Sequence, residues 1–387
     1  MRILMSLTYY RPHVSGLTLY AQRLAEALVE QGHQVQVLTS RHHPDLPLES
    51  HENGVQVIRA PVLMRLSKGV ISPLLYIQAS RLLARHDVLL LHLPQFDSAG
   101  MALLAKLHNV PVVITYHCDL QLPAGMLNKA VNAVVTLMNS VAGRLCDAVV
   151  AYTRDFATHS PFLRRHSRKC HIILPPVPVA PRDTDSSAAF ARRHNPEGGP
   201  LIGLATRFAA EKGINVLLDA LPAILRQYPD AKVLFAGQYQ DVWGEQTYFH
   251  SLSARIADFE SAGRFKFLGV LDQKQMRDFY DNLDVLTVPS LNSTESFGLV
   301  QIEAMQCGCP VIASNLPGVR QPVMMTGAGE VVPVGNPQAL ADAVLRVLQG
   351  ARLDSVLAGN LKTQFSSAAC AAHYAALFEQ MLAEAAG

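Results

Sequence analysis

Two glutamates, Glu295 and Glu303, are separated by seven residues in the stretch DVLTVPSLNSTESFGLVQIEAMQCGCPVIASNLPGVR, Asp284 to Arg320. An ionised carboxylate only accepts hydrogen bonds, so the hydroxyls of a polyol are its natural donors. Between the two acids the pattern changes from small polar residues to a helix over Gly298 to Gln306, closed by Gly308. Free backbone N–H groups at a helix start attract phosphate, and Gly298 lets a ligand approach without a side chain in the way. A carboxylate beside phosphate is repelled by it, so both acids should turn elsewhere, toward a sugar at one end and a ribose at the other. A Glu on a helix usually faces water, but Glu303 lies between Ile302 and Ala304 on a helix too apolar for a broad wet side.

Two cations stand in LIGLATRFAAEKG, which starts at Leu201: Arg207 and Lys212 flank an expected turn between a strand and a helix over Asn215 to Arg226. They suit a diphosphate, Arg as a planar fork and Lys as a point charge, although any surface loop can hold two basic residues. His117 follows the apolar run Val110 to Thr115, two residues before Asp119. An isolated His is most often structural. This one sits just past the end of an expected strand, where open α/β sheets bind ligands.

The segment PSLNSTESFGLVQIEAMQCGCPVIAS resembles the E-x7-E signature of the retaining glycosyltransferases of family 4, including E-x-F-G, E-A-M and G-x-P-V. Arg207 to Gly213 resembles that family's R-x4-K-G element, and Gly32 to Thr39 its G-H-x-V-x-V-x-T strand. The resemblance covers nearly the whole chain and implies a GT-B fold, an α/β architecture of two Rossmann-like domains facing across a cleft. It implies that Glu295 contacts the donor sugar, that the backbone of Phe297, Gly298, Leu299 and Val300 holds sugar and diphosphate, and that Glu303 binds the ribose. It further implies that His117 reaches the transferred sugar. The family's first loop usually carries Gly-Gly, whereas this chain has Ser15 and Gly16, so Gly16 is the residue expected beside the donor.

The elements that must position these groups follow from periodicity. Strands are expected at Arg2 to Leu7, Gln34 to Thr39, Val55 to Arg59, Val88 to His92, Val110 to Thr115 and Ala148 to Tyr152, with helices between them. The proline-rich, polar stretch from Leu174 to Pro200 reads as a link, and Asp183 and Asp185 within it as solvated rather than metal-binding. The expected domains are therefore residues 1–180 and 181–367, with the helix 368–387 returning to the first.

At 387 residues the chain is long enough for two cores. Met1 to Leu7 is too short for a signal-peptide core, Met126 to Ala151 carries too many polar residues to span a bilayer, and the six cysteines show no zinc spacing or disulfide framework. A cytoplasmic protein is expected, soluble or peripheral on the inner membrane face. Residues 1–180 hold 17 Lys and Arg against 10 Asp and Glu, and the rest 16 against 21. That basic half suits anionic lipid or an acidic acceptor, and equally a merely solvated surface. With no dense Lys/Arg cluster, no nucleic-acid partner is expected.

The resemblance implies retention of configuration, and together with the features above it implies a metal-independent hexosyltransferase with no cofactor, its donor a nucleotide diphosphate sugar and its acceptor a glycan or lipid-linked group. A GT-B sugar-nucleotide epimerase, which turns over donor without acceptor, and a non-catalytic binding module are the alternatives. A dinucleotide dehydrogenase is disfavoured, because neither βαβ opening contains G-x-G-x-x-G.

Overall fold

The computed structural model describes residues 1–66, 69–121, 125–350 and 352–386. They form two compact units, Met1–Pro176 with Phe365–Gly387, and Val177–Gln364. The sequence reading places these divisions at 180/181 and 367/368.

In the first unit the strands are β1 (Arg2–Ser6), β2 (Gln34–Arg41), β3 (Glu49–Glu52), β4 (Val55–Pro61), β5 (Met64–Leu66), β6 (Gly69–Ile71), β7 (Val88–Leu93), β8 (Val112–Tyr116), β9 (Ala148–Ala151) and β10 (Cys170–Ile172). Eight of them form one sheet in the order β10-β9-β8-β7-β1-β2-β4-β3, parallel except for β3. Among the described residues, strands β5 and β6 pair only with each other. The helices are α1 (Gly16–Glu30), α2 (Pro73–Leu83), α3 (Ser98–Leu107), α4 (Met126–Leu145), α5 (Arg154–His159) and α6 (Pro161–Arg165). Strand β7 is buried along its whole length, as expected of a parallel strand covered on both faces, so VLLLHL reads as one apolar run around a single His. Leu4, Leu89, Leu91, Ile114 and Val149 pack with Leu75, Leu83, Met101 and Phe156 in the core.

The second unit begins with α7 (Thr184–His194) and continues with β11 (Leu201–Ala205), α8 (Ile214–Gln227), β12 (Lys232–Ala236), α9 (Gln246–Ser261), β13 (Phe265–Gly269), α10 (Gln273–Asn282), β14 (Val285–Val288), α11 (Leu299–Gln306), β15 (Val311–Ser314), α12 (Gln321–Thr326), β16 (Gly329–Val332), α13 (Pro337–Leu348) and α14 (Ser355–Gln364). Its sheet is wholly parallel, in the order β13-β12-β11-β14-β15-β16. The chain runs outward from β11 through β12 to β13, then restarts on the other side at β14. This reversal is a topological switch point, where the loops leaving two adjacent strands part and open a crevice for ligand. The first sheet reverses in the same way between β1 and β7.

Two corrections to the sequence reading arise here. The stretch read as a link contains the helix α7, and Asp183 is its N-cap, accepting from the amides of Asp185 and Ser186 at 3.1 Å. The helix was hidden because only Ser187 on it is buried, leaving almost no apolar period to detect. The short strands β3, β5, β6 and β10 were also missed, being three or four residues long and mostly outside the buried interior.

The final helix, α15 (Ser367–Ala386), belongs to the first unit. Buried Tyr374 on it meets the Tyr20 hydroxyl at 2.8 Å and the Thr115 hydroxyl at 2.7 Å, tying α15 to α1 and β8.

Candidate active site

In the second unit the loops after β11 and β14 are adjacent at the switch point, and they carry Arg207, Lys212 and Glu295. Gly213 makes their close approach feasible. Its φ is +68°, and a Cβ there would stand 1.9 Å from the Pro289 carbonyl oxygen. The Leu291 amide donates to the Glu211 carbonyl at 2.8 Å, and Lys212 Nζ lies 2.6 Å from Glu295 Oε2. Two motifs more than eighty residues apart are thus joined by backbone and by charge.

Arg207 pairs with Glu211 in its own loop, a carboxylate the sequence reading did not single out. Glu245, just before α9 and buried, accepts from the Ala210 amide at 3.0 Å and holds the turn between Arg207 and Lys212. The signal for it in the sequence was only an acidic residue ahead of a helix.

Glu295 lies in the loop before α11, and Gly298 caps that helix with φ +73°. A Cβ on Gly298 would stand 2.8 Å from Gln301 Nε2, which donates to the carbonyls of Phe297 at 2.6 Å and Val319 at 2.8 Å. Gln301 therefore staples the loop ahead of the helix, while Phe297 is buried beneath it. Leu299 and Val300 are the first helical residues, half-buried, with amides in the unsatisfied first turn. Glu303, one turn further on, accepts from the hydroxyl of buried Tyr280 at 2.9 Å, an orienting contact not foreseen from the sequence. Cys307 and Cys309 are buried where α11 passes into β15, and burial pushes the Cys307 thiol up to about 12, which fits packing rather than chemistry.

In the first unit Gly16 opens α1 behind the N-cap Ser15, which forms a capping box with Thr18. A Cβ on Gly16 would meet nothing within 4 Å. His117 follows β8 and is buried. Its Nε2 lies 2.9 Å from His92 Nδ1, and its Nδ1 bonds to the Tyr152 hydroxyl. Burial and the neighbouring His92 hold His117 well below the usual histidine range, and burial holds His92 at about 3, so both rings are neutral at pH 7. Asp119, two residues on, is held by its own partners. It accepts from Tyr116 at 2.9 Å and Ser160 at 2.7 Å. The orienting residues are His92 and Tyr152, which no local spacing reveals.

Comparison with known proteins agrees with the fold. The HepE protein of Anabaena in complex with UDP-glucose superposes with a TM-score of 0.77 at 18% identity, covering 98% of this chain and 100% of that one. WaaG, a glycosyltransferase involved in lipopolysaccharide biosynthesis, gives 0.67 at 16%, covering 94% and 95%. Two doubly wound units of this kind define the GT-B fold. Residues 15–176 match the family model described as a glycosyl transferase 4-like domain, and residues 185–364 match that of the glycosyl transferases group 1. The chain belongs to the family 4 type of these enzymes. Among its curated relatives, the phosphatidyl-myo-inositol mannosyltransferase of Mycobacterium tuberculosis is 27% identical over 372 residues, spanning 93% of this chain and 91% of that one. The D-inositol 3-phosphate glycosyltransferase of Jonesia denitrificans is 29% identical over 359 residues, spanning 87% and 83%. Among the described residues no helix is long and apolar enough to cross a membrane.

Proposed function

We propose that this glycosyltransferase moves a hexose-type sugar from a nucleoside diphosphate sugar to a hydroxyl of a glycan or lipid-linked acceptor, with retention of configuration and without a metal. The observation that carries the reading is the joining of Lys212 to Glu295 at the switch point, beside the open N-terminus of α11. Donor chemistry needs positive charge where the leaving diphosphate forms and a carboxylate where the sugar becomes oxocarbenium-like. Arg207, Lys212 and the amides of Phe297 to Leu299 supply the first, Glu295 the second, and Glu303 receives the ribose hydroxyls.

In the proposed step the bond from the anomeric carbon to the diphosphate oxygen breaks and its electron pair leaves with the diphosphate. The acceptor oxygen bonds to that carbon on the same face, and its proton passes to the departing phosphate. Glu295 orients and stabilises the sugar without forming an ester to it. The relatives named above act on inositol-containing acceptors by their names, which favours a polyol or lipid-linked polyol for this chain as well. Work on an inner membrane face is compatible with that acceptor and with the basic first unit.

Thermal-shift titration against UDP-, GDP- and ADP-sugars tests the donor, since a ligand that binds the folded state raises its apparent stability. The anomeric configuration of the product tests retention, and full activity in chelator tests metal independence. Failure of every nucleotide sugar to shift the melting point overturns the reading, as does a glycosyl ester trapped on Glu295.

A further inference from the structure

Three buried side chains of the first unit form one chain of hydrogen bonds across neighbouring parallel strands. His92 lies near the end of β7, His117 follows β8 and Tyr152 follows β9. The Tyr152 hydroxyl bonds to His117 Nδ1, and His117 Nε2 lies 2.9 Å from His92 Nδ1. The two imidazoles meet edge to edge, with centroids 5.1 Å apart and planes inclined by 27°, as a hydrogen bond between ring nitrogens requires. Tyr20 packs at right angles to His117 at 5.0 Å, and its hydroxyl is held by Tyr374. Both ring nitrogens of His117 are therefore occupied by protein partners. His92 differs. It lines the pocket between β1 and β7 together with Thr8, Tyr9 and Gln95, and its Nε2 is buried without a hydrogen-bond partner on a residue 1% exposed. Buried polar atoms are normally paired, so this one calls for a partner that enters from outside the protein.

The chemistry of the three groups decides where the protons sit. Burial keeps both imidazoles neutral, so each has one nitrogen that donates and one that accepts. Two patterns satisfy these contacts, and in each the two rings carry their proton on the same nitrogen. Either both carry it on Nε2 and Tyr152 donates, or both carry it on Nδ1 and Tyr152 accepts. A phenol ionises at about pH 10, and a neutral imidazole takes up a proton at about pH 6.5, so the phenol is the natural donor and the imidazole nitrogen the natural acceptor. The first pattern is favoured. It leaves His92 Nε2–H as the unengaged donor of the chain, on the ring that lines the pocket.

We propose that His92 is the imidazole that touches substrate, donating from Nε2 to a hydroxyl oxygen of a sugar or polyol, and that His117 and Tyr152 are positioning residues that fix this proton through the chain. This rests on the transferase reading and gives the His117 ring its effect through His92.

Nitrogen NMR of the full chain, labelled with nitrogen-15 histidine and held near neutral pH, tests the proposal. Coupling between nitrogens across the hydrogen bond identifies the His92–His117 pair in the wild-type chain without any substitution. Both rings should show a protonated Nε2 and a bare Nδ1. Opposite tautomers, protons on Nδ1 in both rings, or no coupling between them overturns the proposal. Tyr152→Phe removes only a hydroxyl, and it should change the tautomer ratio of His92 as well as that of His117, a response that a merely structural tyrosine would not give. An unchanged His92 in a folded Tyr152→Phe chain overturns the relay, and if that variant fails to fold the wild-type tautomers decide. Myo-inositol, UDP-glucose, GDP-mannose and ADP-glucose are then titrated separately. At least one should shift His92 Nε2–H saturably: a shift with myo-inositol places the hydroxyl on the acceptor, and a shift with a nucleotide sugar alone places it on the donor. A shift confined to the His117 ring overturns the proposal. A nucleotide sugar that raises the melting point while no probe shifts His92 removes this contact and leaves the transferase reading intact. Should no nucleotide sugar bind, that reading fails, and the tautomers with Tyr152→Phe still decide the relay.

Discussion

Lys212 Nζ stands 2.6 Å from Glu295 Oε2, with both side chains mostly shielded, so the cation suited to donor phosphate and the acid suited to donor sugar hold one another in place. The pair is a hinge of function as well as of charge, since removing either partner strands the other in a partly desolvated position.

Lys212→Met should therefore lower kcat/KM for the donor by about 10- to 150-fold, the effect of losing a charged hydrogen bond of roughly 1.5–3 kcal/mol. Lys212→Arg should recover part of the loss. Steady-state kinetics with the donor found by thermal shift checks this, and a loss under threefold in Lys212→Met would rule out the assigned role.

Glu303 is assigned to the ribose, far from bond breaking, and its effect should fall on binding. Glu303→Ala is expected to raise the donor KM by about 5- to 10-fold, near 1 kcal/mol, with kcat nearly unchanged. A fall in kcat at constant KM would move Glu303 to the reacting centre instead.

Two glycines make opposite predictions. Gly213→Ala should destabilise the protein by roughly 2 kcal/mol, because the left-handed backbone and the Pro289 carbonyl both exclude a Cβ. Gly16→Ala meets open space at a helix start and should leave the melting temperature unchanged or slightly higher. If Gly16 is needed for close approach to donor, the same substitution lowers transfer without lowering stability. Thermal melts and initial rates of the two variants separate these effects.

Acid should weaken the first unit through its buried histidines. The folded pKa of His92 is depressed to about 3, so below about pH 6.5 the unfolded chain binds a proton that the folded chain does not, and His117 acts in the same direction. Stability from each is fully present well above pH 6.5 and falls by up to about 1.4 kcal/mol per pH unit below it. Asp97, pushed up to about 6 by burial, opposes this, since it holds a proton in the fold that the unfolded chain has lost above about pH 4. Asp119, also raised by burial, opposes it too. The difference between wild type and His92→Gln isolates one histidine. Urea midpoints from pH 7.5 to 5 should decline more steeply for wild type, and parallel curves would contradict the neutral assignment.

Most of the architecture was legible because parallel strands buried on both faces read as continuous apolar runs. Val285–Val288 and Val88–Leu93 could be found within a residue or two of their ends. The second unit's motifs were legible for a related reason: Gly213 and Gly298 are fixed by backbone conformation, and Glu295 and Glu303 by their offset along one loop and helix. What escaped were partners brought together by the sheet. Tyr280 reaches Glu303 from a neighbouring helix, and His92 meets His117 because β7 and β8 lie side by side. No pattern in the linear chain marks either contact. Helix α7 escaped for the opposite reason, having too little buried surface to leave a period.

The bonds of Tyr374 to Tyr20 and Thr115 have a consequence for how the protein is made. A ribosome releases residues 1–176 long before the helix from Ser367 to Ala386, yet the interior around β8 is finished only when that helix arrives. The unit translated first is therefore completed only after the second unit has been made, and until α15 emerges its nascent interior exposes the side of α1 that this helix will cover.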